Sequence, residues 1–114
     1  MKMSEIQAEF TSNIGKLIQF ADELGYGLTF GDAFRDPRVH GDQGTKAAPY
    51  GEAWSAHKYR LAVDFNLFIE GEWQASTEAF RELGEYWETL NESNVWGGHF
   101  NDGNHFSRRY NSVA

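Results

Sequence analysis

Residues 60–73 read RLAVDFNLFIEGEW, and this stretch decides the fold. Apolar side chains recur at every second position from Leu61 to Ile69, which is the period of a β-strand with one buried face. The same alternation puts Asp64 on the opposite face. Glu70 and Gly71 predict a tight turn, after which Trp73 begins a short return strand. The stretch therefore predicts a long, half-buried strand with a short antiparallel partner.

A helix precedes this strand near the start of the chain. Apolar residues at helical spacing predict a helix over about residues 4–24. Ser4 and Gln7 have the spacing of a capping box at its start, and Gly25 is a natural stop at its end. The expected role of this helix is core packing.

The remaining segments complete the predicted architecture. Alternating apolar residues predict a strand at 26–30, and helical spacing predicts a second helix over about 77–90. Residues 96–110 have the pattern of two short strands around a turn, whereas residues 36–54, which contain both prolines, are predicted to form a long loop. This order of elements predicts an α+β fold with helices packed on a small antiparallel sheet, in a single domain over residues 1–114.

Composition restricts the possible functions. The chain has 114 residues, of which 40% are hydrophobic and 16% aromatic, so it can bury a core. Its net charge of -7 without a basic cluster argues against binding of nucleic acid or of an anionic membrane surface. The absence of cysteine excludes disulfides and thiolate metal sites. Any metal must therefore be held by His, Asp or Glu.

The N-terminus gives an expectation about location. The segment MKMSEIQAEF lacks the apolar stretch of a signal peptide, and no apolar run approaches the ~20 residues that span a bilayer. We therefore expect a cytoplasmic protein without stable membrane insertion.

Two pairs of side chains could carry chemistry. His57 and Asp64 flank the start of the central strand, and they converge only if His57 lies in the bend before it. Asp102 and His105 lie three residues apart across a Gly-Asn turn. A catalytic zinc needs three such ligands, and a carboxylate that is not a ligand can then act as base. Spacing alone leaves open that the four residues occur together by chance, as they do in many acidic domains.

Three spaced motifs resemble those of the M15 metallopeptidases. Ser55, His57, Ala62 and Asp64 form S-x-H-x-x-x-x-A-x-D, which is followed by NLF-x-x-G and by WGG-x-F-x-D-x-x-H-F. This family contains D-alanyl-D-alanine carboxypeptidases and L-alanyl-D-glutamate endopeptidases, and the chain is most similar to its small phage endolysins. The resemblance covers about residues 27–107 and implies an α+β fold of the Hedgehog/DD-peptidase type.

The resemblance also implies roles for individual residues. His57, Asp64 and His105 match the zinc ligands, and Asp102 matches the general base. Arg35 matches an arginine that holds the substrate and stabilises the oxyanion. The zinc-site core then covers about residues 55–107. The implied substrate is the peptidoglycan stem peptide, and a monomer that depends on a holin-like partner for release is expected.

Some positions depart from the family pattern. Arg60 stands where many members have glycine, so the bend after His57 must accept a side chain. The glutamine often found soon after Arg35 is missing, and Asp102 replaces the glutamate base of the carboxypeptidase branch. The aspartate favours the endolysin branch, but the departures leave open which peptide bond is cleaved.

Other candidates receive structural interpretations. Ser55 is a turn residue or a hydrogen-bond partner of a ligand, His99 is structural or at the substrate rim, and His40 is not a ligand. The four tryptophans are expected in the core, with Trp96 at the edge of the cleft. Two rival functions remain: a binding module of the same fold without catalysis, and a glycosidase that uses a pair of carboxylates from Glu82, Glu85 and Glu88.

Overall fold

The cap of the first helix lies two residues before the predicted capping serine. The computed structural model describes residues 1–31 and 59–110, and its helix α1 covers Met3–Glu23. Lys2 is the cap residue, and its N–H donates to the Glu5 carboxylate over 2.9 Å. The predicted cap at Ser4 is therefore wrong, because Glu5 reaches back to Lys2 and leaves Ser4 within the first turn. Gly25 ends the helix as predicted, with a left-handed φ of 80°.

The strands within residues 1–31 and 59–110 form one antiparallel sheet of five. They are β1 (Tyr26–Phe30), β2 (Ala62–Ile69), β3 (Glu72–Gln74), β4 (Asn94–Trp96) and β5 (His105–Arg108). Their order is β1-β2-β5-β4, and β3 also pairs with β2. Since β1 runs along one edge of β2 over residues 65–69, both β3 and β5 pair with its other edge.

The predicted turn after β2 is a two-residue hairpin. Glu70 and Gly71 both have left-handed φ values, 53° and 80°. Two consecutive left-handed residues match the right-handed twist of the strands that they join. The turn therefore fixes the register in which Trp73 lies opposite Phe68.

The second helix also agrees with its prediction. A 3₁₀ turn at Thr77–Phe80 leads directly into helix α2 at Arg81–Thr89. The Ser76 hydroxyl caps the turn by accepting from the N–H of Ala79 over 3.2 Å. The α+β fold predicted from the sequence is confirmed.

Both helices pack on the face of the sheet that carries the apolar residues of β2. Val63, Phe65 and Leu67 are buried there, as the period-two pattern predicted. Trp87 of α2 fills the centre, with edge-to-face contacts to Phe10 at 5.6 Å and to Phe106 at 6.1 Å between ring centroids. These contacts join α1, α2 and β5 into one core.

The prediction that every tryptophan is in the core is wrong for Trp73. Trp87 and Trp96 are buried, but Trp73 is 61% exposed. It lies opposite Phe68, which alternation places on the face of β2 turned away from the helices. Trp54 and the predicted loop at 36–54 lie outside the described residues. Within the described ranges, no helix has the length and apolar character to cross a membrane.

Candidate active site

The pairing of β2 with β5 brings Asp64 and His105 together. The two residues are direct partners in the ladder, and Oδ1 of Asp64 lies 3.1 Å from Nδ1 of His105. Their side chains are only 18% and 8% exposed. Two of the predicted metal ligands, 41 residues apart in the sequence, are therefore adjacent and largely shielded from water.

A tight turn sets the position of His105 along β2. The His105 N–H donates to the carbonyl of Asp102 over 3.1 Å, which closes the predicted bend around Gly103 and Asn104. The Asn104 carbonyl then accepts from the N–H of Phe65 over 3.0 Å. The turn is thus hydrogen-bonded to β2 just beyond the Asp64–His105 pair.

The indole of Trp96 is hydrogen-bonded to this turn. Its Nε1–H donates to the Gly103 carbonyl over 2.7 Å, and the ring is fully surrounded. A Cβ at Gly84 would lie 2.0 Å from the ring, and one at Gly98 would lie 2.3 Å from it. Only glycine fits at either contact. The close approach therefore explains the second glycine of the WGG motif, and Gly84 is a structural residue that sequence reasoning missed.

Asp102 lies at the exposed start of the same turn. Its N–H donates to the Gly97 carbonyl over 2.9 Å, and Gly97 has no room for a Cβ because the Asp102 carbonyl would be 2.2 Å away. The Gly103 N–H next to it donates to Thr77 Oγ1 over 3.2 Å. The backbone that carries Asp102 is therefore held on both sides, while its side chain is accessible to solvent.

His99 has a structural contact, in agreement with the first of its two interpretations. Its Nε2 lies 2.9 Å from both carboxylate oxygens of Glu88, and Glu88 also accepts from the N–H of Trp96 over 3.0 Å. The ring of His99 packs edge-on against Trp96 at 5.7 Å. The Glu88 carboxylate therefore binds both the first and the last residue of the WGGH segment.

The other predicted site residues are not among those that the structure describes. Arg35, His40, Ser55 and His57 all fall between residues 32 and 58. Within the ranges 1–31 and 59–110, no three His, Asp or Glu side chains form a group able to hold a metal ion. The assignment of His57 as third ligand and of Arg35 as substrate residue therefore stays a prediction.

Arg60 explains one departure from the family pattern. It has a left-handed φ of 58° and lies immediately before Leu61 and the start of β2. Glycine adopts this conformation without a steric penalty, whereas other residues do so uncommonly. The bend before β2 thus requires the conformation that glycine favours, and here an exposed arginine adopts it.

The donor atoms of Asp64 and His105 fit a shared zinc ion. Zinc binds histidine nitrogen and carboxylate oxygen at 2.0–2.2 Å in tetrahedral geometry, which separates two ligand atoms by about 3.3 Å. The separation of 3.1 Å between Oδ1 and Nδ1 is close to this value. One carboxylate and one imidazole are also ligand types that zinc accepts.

The comparison with protein families agrees with the motifs in this region. A family model of M15 peptidases, described as D-alanyl-D-alanine carboxypeptidase, matches residues 50–108. The match covers more than half of the chain and includes Asp64, Asp102 and His105. No curated protein is similar enough to count as a match. The chain belongs to the M15 peptidase family.

Proposed function

We propose that the protein is a zinc-dependent peptidase that hydrolyses the stem peptides of peptidoglycan. Within the family, we assign it to the phage endolysin branch, as an L-alanyl-D-glutamate endopeptidase. The observation that carries the proposal is the largely shielded pair of Asp64 and His105, whose donor atoms lie 3.1 Å apart beside the turn that holds Asp102. Family membership independently indicates a hydrolase acting on peptides of the cell wall.

In the proposed reaction, three residues bind the metal ion. His57, Asp64 and His105 would hold zinc, which when bound polarises the peptide carbonyl and lowers the pKa of water to about 7. Burial of the Asp64–His105 pair fixes both side chains before substrate arrives.

Asp102 and Arg35 would act on the reacting atoms. Asp102 accepts the proton of the attacking water and passes it to the leaving amine. It suits this role because its backbone is fixed by Gly97 while its carboxylate is open to solvent. Arg35 would hold the substrate and stabilise the negative charge that develops on the carbonyl oxygen.

Two rival activities share the same site. A D-alanyl-D-alanine carboxypeptidase would use the same ligands on the terminal bond of the stem, and the family description names that activity. A binding module without catalysis would keep the metal and lose turnover. Aspartate at position 102 favours the endopeptidase branch, as its resemblance to the endolysin motif implied.

The glycosidase hypothesis receives no support from helix α2. Glu82 accepts a hydrogen bond from the Tyr26 hydroxyl over 2.6 Å, and Glu88 binds Trp96 and His99. Glu85 is exposed and lies 3.9 Å from Arg81 in an ion pair. These carboxylates have structural partners and do not face one another across a cleft as a catalytic pair does.

Removal of one ligand tests the metal site. We expect His57→Ala, Asp64→Ala and His105→Ala each to lose bound zinc and to stop lysis of purified cell walls. Metal content by mass spectrometry and turbidity of a wall suspension are the measurements. Full lysis by a metal-free His105→Ala protein would contradict the proposal, and so would stoichiometric zinc without turnover of any stem peptide in the unmodified protein.

Replacement of the base tests its role separately. Asp102→Asn keeps the shape of the side chain, so we expect it to retain zinc and to lower kcat by about 10²–10⁴-fold. Asp22→Asn, which removes one exposed carboxylate at the end of α1, is the control for the change in charge. Equal turnover in Asp102→Asn and the control would exclude Asp102 as base.

The cleaved bond and the route to the wall need their own measurements. Mass spectrometry of digested peptidoglycan distinguishes a new amino terminus on D-glutamate from released D-alanine. We further propose that the monomeric enzyme stays in the cytoplasm until a holin-like partner releases it. Production inside bacterial cells with and without a holin tests this, and lysis without the holin would contradict it.

A further inference from the structure

A gap in the sheet lies beside the proposed catalytic residues. The edge of β2 pairs with β5 through Ala62–Asp64 and with β3 through Leu67–Ile69. Phe65 and Asn66 lie between these two ladders. The gap opens into a cleft of about 180 Å³, which we call the amide cleft, bordered by β3 on one side and by the turn that carries Asp102 on the other.

Neutral hydrogen-bonding groups dominate the lining of the amide cleft. Amides and a hydroxyl come from Asn66, Gln74, Thr77, Asn101 and Asn104. No lysine or arginine is among its described lining residues, and Asp102 is the one ionised group there. Because side-chain amides both donate and accept, the cleft suits an uncharged ligand rich in hydroxyl and amide groups. Among the described lining residues, none offers a cation to balance the repulsion between a bound carboxylate and Asp102.

Two of these amides are already oriented by the protein. Nδ2 of Asn66 donates to Thr29 Oγ1 over 3.2 Å, and Nε2 of Gln74 donates to the carbonyl of Glu72 over 3.0 Å. Each bond engages the nitrogen end of an amide, so the carbonyl oxygen of that amide is the end that can accept from a ligand. Groups that are held before binding lose less conformational entropy when a ligand arrives.

Trp73 adds a flat apolar surface at the rim of the amide cleft. The ring lines the cleft although it is 61% exposed. Paired residues of neighbouring strands project to the same face, so Trp73 lies on the face that also carries Asp64, Asn66 and His105. A pyranose ring has an apolar face of C–H groups and a rim of hydroxyls. An exposed indole next to oriented amides matches both parts.

The distance from the amide cleft to the Asp64–His105 pair indicates which part of the substrate a bound sugar ring would be. Asn66 is two residues along β2 from Asp64, a rise of about 7 Å. One alanyl residue together with the lactyl group that joins it to the sugar covers a similar length. The L-alanyl-D-glutamate bond lies one residue from the sugar that carries the stem, whereas the terminal D-alanyl-D-alanine bond lies three residues further away. The spacing fits the bond near the sugar.

We propose that the amide cleft is a subsite for the N-acetylated sugar ring to which the stem peptide is attached. Trp73 stacks on the ring, while Asn66, on the same face of the sheet, binds its hydroxyl and acetamido groups. The inference rests on the proposed peptidase function and deepens it, because it makes the sugar a determinant of which bond is cleaved.

A pair of defined substrates tests the subsite. N-acetylmuramoyl-L-alanyl-D-isoglutamine and N-acetyl-L-alanyl-D-isoglutamine contain the same bond, with and without the sugar. We expect the unmodified protein to have a kcat/KM at least about tenfold higher for the sugar-linked form. Trp73→Ala should lower this ratio towards one, whereas Glu72→Ala, on the same strand but outside the cleft, should keep it. Equal kcat/KM for the two substrates in the unmodified protein would overturn the proposal.

A binding measurement separates this proposal from the peptidase function. The uncharged disaccharide N,N′-diacetylchitobiose should shift the indole N–H resonance of Trp73, which Trp73→Phe identifies among the four tryptophans. A shift without hydrolysis of any stem peptide would overturn the peptidase function and keep the sugar subsite. Hydrolysis of stem peptides, with neither a shift of the Trp73 resonance nor a preference for the sugar-linked substrate, would overturn the sugar subsite and keep the peptidase function.

Discussion

The sheet has a buried end, where β5 and β4 lie beside the first residues of β2, and an open end, where β1 and β3 flank its last residues. The two ends differ in burial. Every residue of β4 and β5 is buried, whereas none of the residues of β1 and β3 is. The buried end holds His105 and leads through the WGGHF segment to Asp102. The open end presents Phe30 and Trp73 to solvent, 64% and 61% exposed.

This difference indicates that the two ends have different tasks. At the buried end, glycine–indole contacts and a chain of hydrogen bonds leave the turn before His105 one arrangement. That is what a site needs when donor atoms must stay within a few tenths of an ångström. At the open end, the strands complete the edge of the sheet and leave aromatic surface for contact with a ligand. Three substitutions test this comparison.

A methyl group at Gly84 should have the largest effect on stability. Alanine is a better helix former than glycine by about 1 kcal/mol, but the added Cβ would lie 2.0 Å from the ring of Trp96. We therefore expect Gly84→Ala to lower the free energy of unfolding by about 1–3 kcal/mol, measured by urea denaturation. Activity should fall with it, because the displaced indole holds the Gly103 carbonyl.

Gly15 in α1 is the matched control. It is an exposed helical glycine, and nothing lies within 4 Å of the Cβ that alanine would add. Gly15→Ala should therefore stabilise the protein, by about 0.5–1 kcal/mol. If Gly84→Ala also stabilised the protein, the Trp96 ring would not be tightly packed against Gly84, and the buried end would not be confined to one arrangement.

Loss of the Glu88 carboxylate should have an intermediate effect. Glu88→Ala removes the acceptor of the Trp96 N–H and the partner of His99. Because the Glu88 side chain is 31% exposed, water can partly replace it, and we expect a loss of about 1 kcal/mol. Hydrogen exchange of the Trp96 amide should become faster in the same variant.

Glu85 provides the control for this change in charge. Its side chain is 68% exposed, and its ion pair with Arg81 is long, at 3.9 Å. Glu85→Ala should leave both the stability and the exchange of the Trp96 amide unchanged within error. Equal effects of the two substitutions would show that Glu88 acts through general charge, and the buried end would lose one of its supports.

The sequence predicted the parts of the fold that depend on local periodicity. The alternation from Leu61 to Ile69 identified β2 and its buried face, and helical spacing identified both helices. The turn at Glu70 and Gly71 followed from Gly71, because glycine accepts a left-handed φ without a steric penalty, whereas the left-handed φ of Glu70 is uncommon for its residue type. In each case the signal lies within a few residues, where backbone geometry is set by neighbours.

What the sequence could not predict depends on contacts between distant segments. Position 73 carries an aromatic residue, and only the register with Phe68 shows that the ring lies on the face away from the core. Gly84 reads as an ordinary helical glycine until Trp96 is packed against it. The candidate site was named from family motifs, since spacing alone left His57, Asp64, Asp102 and His105 as a chance collection.

The smallest expected effect belongs to the open end, at Tyr26. Its hydroxyl donates to Glu82 over 2.6 Å at the surface, and this hydrogen bond, with smaller contributions from burial and the charge of Glu82, raises the pKa of Tyr26. Tyr26→Phe removes the bond, but water satisfies the Glu82 carboxylate in the variant, so the free energy of unfolding at pH 7 should change by less than about 0.5 kcal/mol.

A raised pKa means that the folded state binds the proton of the Tyr26 hydroxyl more tightly than the unfolded state does. Any stabilisation from it is therefore present below the ordinary tyrosine pKa of about 10 and is lost as the pH rises through the raised value. The phenolate absorbance of the unmodified protein minus that of Tyr26→Phe isolates this titration, and Glu82→Gln should move it to lower pH. A loss in Tyr26→Phe as large as that in Glu88→Ala would remove the distinction between the two ends, because surface and buried anchors would then contribute equally.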